Sequence, residues 1–582
     1  MSENVIPLRT EADTVAGLQA TARAQGADSR AAEIIADHVV RGRFRWTPAL
    51  GWLQWDGCRW SIDEAAEAAL IEAVRQFADD TERDYRARAG SAQLRESALI
   101  DTVRARAGLD PLAVLDRKEV ERLIENKGTP DERKTWQQIT RDLTEARTQA
   151  DIWLNLLNVK KLQAVVTLCR GMDGVRTRTT DLDAHPDLLN VRNGVVDLRT
   201  GELRPSDPDL LMTRVAGVDY IPSMRAPRWT KALEAVHPGC LEWFQLKIGQ
   251  SATGYTPTDD TMVISHGGGE NGKTAVMTAI RRALGDYART ISHRVLIAQP
   301  GQHPTELMDL RGCRLALLEE TPEEGRLDTH RIKETVGTPE IEARRMRRDP
   351  VTFTTSHTLW VNTNFRPQVD STDHGTWRRL QEMPWPFTFV KPGRPLTTDA
   401  HRAGDPRLKP ACERDPRIWQ AALSWIVEGA VAWFAGGEVG SDAPAPVVEA
   451  TAEWRSSTDV GFQFAAEQLV ADPAAFITAE VMRREFSAFL AAQGKRDWSA
   501  QTLNTRLPAS LAAAGIVVSA VPTKPAKIRQ GDTESRPAGR DEHWIEADYP
   551  APVGNAPGKL QRIWRGVRFK TATEAASHLR LV

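Results

Sequence analysis

Residues 267–274 read Gly-Gly-Gly-Glu-Asn-Gly-Lys-Thr, and no other segment constrains the fold of this chain as tightly. The octapeptide fits G-x-x-x-x-G-K-[ST], a pattern that works only where a buried strand enters a loop and the loop opens a helix. Both flanks meet that demand. Met262-Val263-Ile264 is an apolar run of strand type, and Ala275 to Leu284 reads as a helix. The expected fold class is therefore α/β. In such a loop the backbone amides of Gly267, Gly268, Gly269, Glu270, Asn271 and Gly272 surround phosphate oxygens, and the helix N-terminus adds partial positive charge. Lys273 is expected to reach the β- and γ-phosphates, and Thr274 to hold Mg²⁺ through its hydroxyl, so ATP and Mg²⁺ are the implied cofactors.

The next hundred residues supply partners for that loop. Arg314 to Leu318 predicts a buried parallel strand ending in Glu319-Glu320. One carboxylate can place the metal through its water shell, the role assigned to Glu319, while Glu320 polarises the attacking water. Ile341 to Pro350 holds Arg344, Arg345, Arg347 and Arg348 before the alternating Val351-Thr-Phe-Thr, which predicts a hairpin with a basic tip gripping DNA phosphates. Either Arg347 and Arg348 or Arg344 and Arg345 form the tip. Thr358 to Val361 predicts another core strand, followed by Asn362-Thr363-Asn364, where one amide can hydrogen-bond a γ-phosphate or its water. Asp373 to Leu380 places Arg378 and Arg379 after a turn, the residue type that stabilises charge in phosphoryl transfer when offered to a neighbouring subunit.

This ordered set resembles the superfamily 3 helicases, in particular the phage and plasmid primase-helicases related to the poxvirus primase-helicase. The matching segments are GGGENGKT at 267–274, LALLEE at 315–320, KETVG at 333–337, the Ala343-Arg344-Arg345 stretch, VNTN at 361–364 and GTWRRL at 375–380. Upstream, 52–60 and 187–201 are similar to the family's N-terminal module; downstream, 425–430 and 564–569 resemble its later segments. The resemblance implies an AAA+-type P-loop ATPase core between a mixed α/β N-terminal module and a C-terminal winged-helix domain. It also implies a homohexameric ring translocating on single-stranded or forked DNA. Lys333 and the basic hairpin would make DNA contacts, Asn364 would be the sensor, and Arg378 or, favoured of the two, Arg379 would act in trans. Residues 1–30 are a short polar, Ala-rich start where many relatives carry a primase domain, so any primase or polymerase is expected to be a separate partner.

Composition sets outer bounds. Net charge is −2 and hydrophobic content 41%, which suits a large enzyme with local basic surfaces and not a polycationic coat. Five separated cysteines make no metal pair, no run approaches a membrane span, and no signal segment opens the chain, so a cytoplasmic protein is expected, and the resemblance to phage and plasmid enzymes implies a bacterial host.

The chain is expected to divide into a flexible start (1–28), an N-terminal α+β module (29–225), the ATPase (226–437) and a DNA-binding winged helix (438–582). In the last, helices at 460–469, 478–493 and 499–514 precede wing strands at 515–519 and 564–569. The third helix carries Arg506 as a DNA contact, and Pro508 should kink it or split it in two. Residues 521–582 hold 11 Lys/Arg against 7 Asp/Glu. Two functions remain open at this level: an ATP-driven ring helicase, or a replication initiator that uses ATP as an assembly switch.

Overall fold

The computed structural model describes residues 27–112, 114–297, 305–319, 326–344, 351–369, 374–438, 442–495, 497–522, 524, 526–527, 533–535, 560–571 and 574. Glu320, Arg345, Arg347, Arg348 and residues 1–26 therefore lie outside the described residues. Two compact units emerge: 1–184 with 206–214, and 185–205 with 215–582.

The first unit opens with α1 (Ala27–Ile35) and a small antiparallel sheet of β1 (Phe44–Thr47), β2 (Gly51–Trp55) and β3 (Trp60–Ser61). Four helices follow: α2 (Ala66–Arg106), α3 (Arg117–Lys127), α4 (Pro130–Leu156) and α5 (Val159–Cys169). At 41 residues α2 is about 60 Å long. Leu70, Val74 and Ala78 at four-residue spacing seal its first turns onto the core, where Trp52 and Trp153 also pack. Asp116 with Glu119 and Thr129 with Glu132 form capping boxes that start α3 and α4.

In the second unit, β4 (Leu188–Val191), β5 (Gly194–Asp197) and β6 (Leu203–Arg204) make a meander whose Leu189, Val191 and Val196 enter the same core as α6 (Pro227–Leu233) and α7 (Leu241–Ala252). The strand block at 188–203 thus packs with the phosphate-loop body, although the sequence reading grouped it with the N-terminal helices.

The centre of this unit is a five-stranded parallel sheet. Its strands are β7 (Met262–His266), β8 (Ala288–Ile291), β9 (Leu315–Glu319) and, beyond a helix and a separate hairpin, β12 (Thr358–Thr363) and β13 (Leu380–Pro384). The helix α8 (Lys273–Leu284) follows β7, and α9 (Thr329–Gly337) precedes the antiparallel hairpin of β10 (Glu340–Ala343) and β11 (Val351–Thr354). Spatial order is β13-β7-β12-β9-β8, every pair parallel. Both faces are buried. Val263, Leu315, Leu317, Trp360 and Met383 enter one core, and their neighbours Ile264, Ala316, Leu318, Val361 and Leu380 enter the other. This two-residue alternation between two dry faces explains why the strands read as unbroken apolar runs.

The short α10 (His374–Trp377) precedes β13, and α11 (Pro416–Ala435) packs on α7 and α8. By length and composition α11 could cross a membrane, but Leu423, Ile426, Val427 and Ala430 are buried in the protein core. The helix α12 (Ala445–Thr458) lies along β13.

The C-terminal region contains α13 (Val460–Gln468), β14 (Leu469–Thr478), α14 (Ala479–Ala492) and α15 (Ala500–Ala513), followed by β15 (Thr533–Glu534) and β16 (Ile563–Phe569) in the order β15-β14-β16. Three sequence expectations are corrected here. The strand expected at 515–519 is a turn and coil, reaching the sheet only through a bridge from Ala520 to Arg565. The strand that pairs with β16 is instead β14, which carries a register shift between Ala471 and Phe476 and was hidden by its Asp472-Pro473. Pro508 sits inside a continuous α15 whose Leu507 and Leu511 are buried, so tertiary packing outweighs the lost backbone hydrogen bond.

Helices α7 and α11 touch through glycine. A Cβ on Gly429 would fall within the van der Waals envelope of the Gln245 carbonyl, and one on Gly249 would meet the Ala430 amide. Gly429→Ala must therefore force the helices apart. The expected loss is about 1–3 kcal/mol, read as a lower urea midpoint at unchanged slope.

Candidate nucleotide site

The C-terminal edge of the parallel sheet is where its polar residues collect. β7 ends at His266, and the loop 267–272 turns directly into α8. Two glycines fix its shape. A Cβ on Gly267 would sit 2.5 Å from the Trp385 carbonyl oxygen and 2.6 Å from Asn271 Nδ2. Gly272, at φ +80°, would press on Ala235 at 2.7 Å. Gly268 and Gly269 would meet nothing within 4 Å, so this stretch of loop borders open space. Glu270 holds a left-handed backbone at φ +59°, a strained choice that recurs at ligand-binding turns.

Lys273 begins α8 and is buried. Its Nζ donates to the Thr363 carbonyl at 2.6 Å and the Gly267 carbonyl at 3.2 Å, and lies 3.4 Å from Asn364 Oδ1. Among the described residues no carboxylate pairs with it. Burial without a countercharge pushes its pKa down to about 8. Beside it, Asn271 Oδ1 accepts from the Lys273 amide at 3.3 Å, whereas its buried Nδ2 has no hydrogen-bond partner among the described residues. A buried cation facing only neutral oxygens and an orphaned amide donor, at a helix N-terminus, suit a polyphosphate anion. Thr274 is exposed on the first turn of α8, and Glu319 is exposed at the end of β9, so both are open to a hydrated Mg²⁺.

The strand β12 lies between the loop strand and the acid strand. Its Asn362 pairs in register with Ser265 on one side and Glu319 on the other. Asn362 is buried with its Oδ1 unpartnered, and Asn364 is exposed beyond the strand end next to Lys273. Of the two amides, Asn364 is the one that touches the lysine.

Arg378 and Arg379 stand at the opposite edge. The Arg379 carbonyl accepts from Met262 N, the first residue of β7, so the length of a five-residue strand, about 16 Å, separates them from the phosphate loop. Arg379 is 12% exposed, donates to the Gly375 carbonyl at 2.6 Å and pairs with Asp260 at 3.3 Å. Arg378, 46% exposed, shares Asp260 at 3.2 Å.

Other expected DNA contacts are dispersed. Lys333 is exposed on α9, Arg344 follows β10 at the base of the hairpin, and Arg506 lies 5.8 Å over the Trp498 ring on α15. The hairpin strands are present as read, while the tip arginines are outside the described residues. Sequence reasoning missed one cluster, His266, Arg366, Glu382 and Glu453. The available signal was Glu382 itself, a lone acid inside the apolar run Leu380 to Trp385.

Residues 32–238 match the family described as D5 N terminal like, and 265–379 match a family of unknown function (DUF5906). The chain is 28% identical over 315 residues to "Putative primase C962R" of African swine fever virus, a match covering 50% of this chain and 32% of that protein. It is 26% identical over 219 residues to "Putative helicase L207/L206" of Acanthamoeba polyphaga mimivirus, covering 36% and 23%. With "Putative helicase 022R" of Frog virus 3 it shares 27% over 270 residues, covering 45% and 26%. The matches thus span about a third or less of those relatives. The apo structure of the NrS-1 C terminal region (305-718) aligns with 61% of this chain and 76% of its own at TM-score 0.35 and 10% identity, too slight a likeness to bear on the fold. Together the sequence similarities support a D5-like helicase family.

Lys273 gives the site a pH dependence. A phosphate bound here would need the ammonium form, which burial confines to below about pH 8. Affinity for ATP should be flat below that pH and weaken above it, by up to about tenfold per unit, as binding takes up a proton. In Lys273→Arg the guanidinium stays charged, so any residual affinity should be level from about pH 7 to about pH 9.5. Fluorescent-nucleotide titrations across that range measure both curves.

Proposed function

We propose that this chain, related by its matches to D5-like helicases, is an ATP-dependent DNA helicase of superfamily 3 type that works as a homohexameric ring on single-stranded or forked DNA during replication. Lys273 carries this reading: a buried ammonium held by neutral oxygens beside an open glycine loop binds phosphate and has no evident packing role. In the proposed site Thr274 and Glu319 hold hydrated Mg²⁺, Glu320 activates water, and Asn364 meets the terminal phosphate. ATP supplies the phosphoryl group. The protein supplies the cradle and the charge.

Strand order supports an AAA+-type core, because β12 between β7 and β9 puts an amide between loop and acid. The order α13, β14, α14, α15, β16, with a bridge at Ala520, supports a winged helix as the C-terminal domain. The ring is supported by the arginine pair: a strand length from the loop of its own chain, it can reach a phosphate site only on another copy. The exposure difference moves the proposed trans residue from Arg379, which is committed to Gly375 and Asp260, to Arg378. We place the protein in the host cytoplasm, working with a separate primase or polymerase.

Lys273→Ala should lower Mg²⁺-dependent ATP turnover by about 10² or more, because charge and position hold the transition state. Near-normal turnover in that variant would refute the assignment. The ring makes a separate demand. Arg378→Ala and Lys273→Ala subunits, each inactive alone, should regain activity on mixing, since some interfaces then combine an intact loop with an intact arginine. Mixtures that assemble yet stay inactive would show that Arg378 does not act in trans.

A further inference from the structure

Glu382 is 1% exposed, lies in the middle of an edge strand, and is ionically engaged. Its Oε1 and Oε2 each lie 3.1 Å from Arg366 Nε, and Oε1 is also 2.8 Å from His266 Nδ1. Arg366 Nη2 reaches outward to Glu453 on α12 at 3.0 Å. An apolar residue would fill this place at least as favourably, since two desolvated charges recover little net stability from their attraction. The position of the pair is therefore more informative than its strength. It joins the middle of β13 to the C-terminal end of β7, through His266, and to the turn that follows β12, through Arg366 itself.

The turn after β12 is pinned residue by residue. The Thr363 carbonyl accepts from Lys273, and the Thr363 hydroxyl donates to the Phe365 carbonyl at 2.6 Å and accepts from the Phe365 amide at 3.1 Å. Arg366 is locked to Glu382, and the Pro367 carbonyl accepts from the buried Trp454 Nε1 at 3.0 Å. Among the described residues, the Asn364 side chain has only its 3.4 Å approach to Lys273. A fixed backbone around one adaptable amide is what a group that must meet a terminal phosphate requires.

We propose that Arg366 and Glu382 are positioning residues for ATP hydrolysis, acting through the 363–366 turn on Asn364. This rests on the ATPase reading above. Arg366→Lys keeps a charge for Glu382 but cannot reproduce the guanidinium geometry, and it should lower kcat about tenfold while the Kd for ATP stays within about threefold. Glu382→Gln should give the same split, and serves if the lysine variant does not fold. The decisive measurement is a double-mutant cycle with Asn364→Ala. If Arg366 works through Asn364, Arg366→Lys/Asn364→Ala hydrolyses ATP no more slowly than Asn364→Ala alone. Additive losses, or a loss confined to Kd, would overturn the positioning role while leaving the ATPase reading intact. Absence of hydrolysis in the unmodified protein would instead overturn that reading.

Discussion

Burial of the parallel sheet on both faces governs where chemistry can occur in this unit. Alternate residues of β7, β9, β12 and β13 enter two separate apolar cores, so a charge buried within the sheet needs a specific partner, as Glu382 has in Arg366. Because all five strands run in one direction, their C-terminal ends share an edge, and the phosphate loop, Glu319 and Asn364 gather there without any long connection. The same direction sends Arg378 and Arg379, which precede β13, to the far edge. Division of labour between the two edges thus follows from strand polarity.

The two buried charge centres at the loop edge answer desolvation differently. Glu382 has its countercharge in Arg366 and keeps it permanently. Lys273 has carbonyl and amide oxygens, which satisfy its hydrogen bonds and leave its charge uncompensated, hence the pKa of about 8. The first arrangement fixes geometry. The second leaves a buried positive charge with neutral oxygens alone around it, the arrangement on which the proposed phosphate site rests.

Legibility in the sequence followed the range of the forces involved. The phosphate loop, β7, α8, β9, β12 and the β10–β11 hairpin were readable because each depends on contiguous residues: glycines at fixed offsets, unbroken apolar runs, an alternating strand. The misreadings involve long-range partners. Asp472-Pro473 signals a turn locally and falls in the unpaired register shift of β14, while the residues on either side, 469–471 and 476–478, are held in a strand by β16 about ninety residues on. Pro508 signals a break locally, yet the buried leucines on either side keep α15 whole. Glu382 was passed over because nothing nearby hints at Arg366 or His266. Gly337, whose missing side chain makes room for the Arg379 guanidinium, is another distant neighbour that the arginine pair alone does not reveal.

Edge protection explains the remaining organisation. β13 is an outer strand, and an exposed outer strand invites pairing with other chains. Here α12 covers it: Val447 enters the core on one face of the sheet and Trp454 the core on the other. Between them the Thr451 hydroxyl accepts the outward amide of Glu382 at 2.8 Å and donates to the Val447 carbonyl at 2.7 Å. The helix that hides the edge also leads into the C-terminal region. Directly after it, Asp459 caps α13 and accepts from Ser510 of α15, so this junction is hydrogen-bonded on both sides. The C-terminal core shares no cluster with either face of the sheet. A requirement to cover β13 and a requirement to anchor the C-terminal region are therefore met by one helix, and Arg366, through Glu453 on that helix and Glu382 on that strand, lies where the two meet.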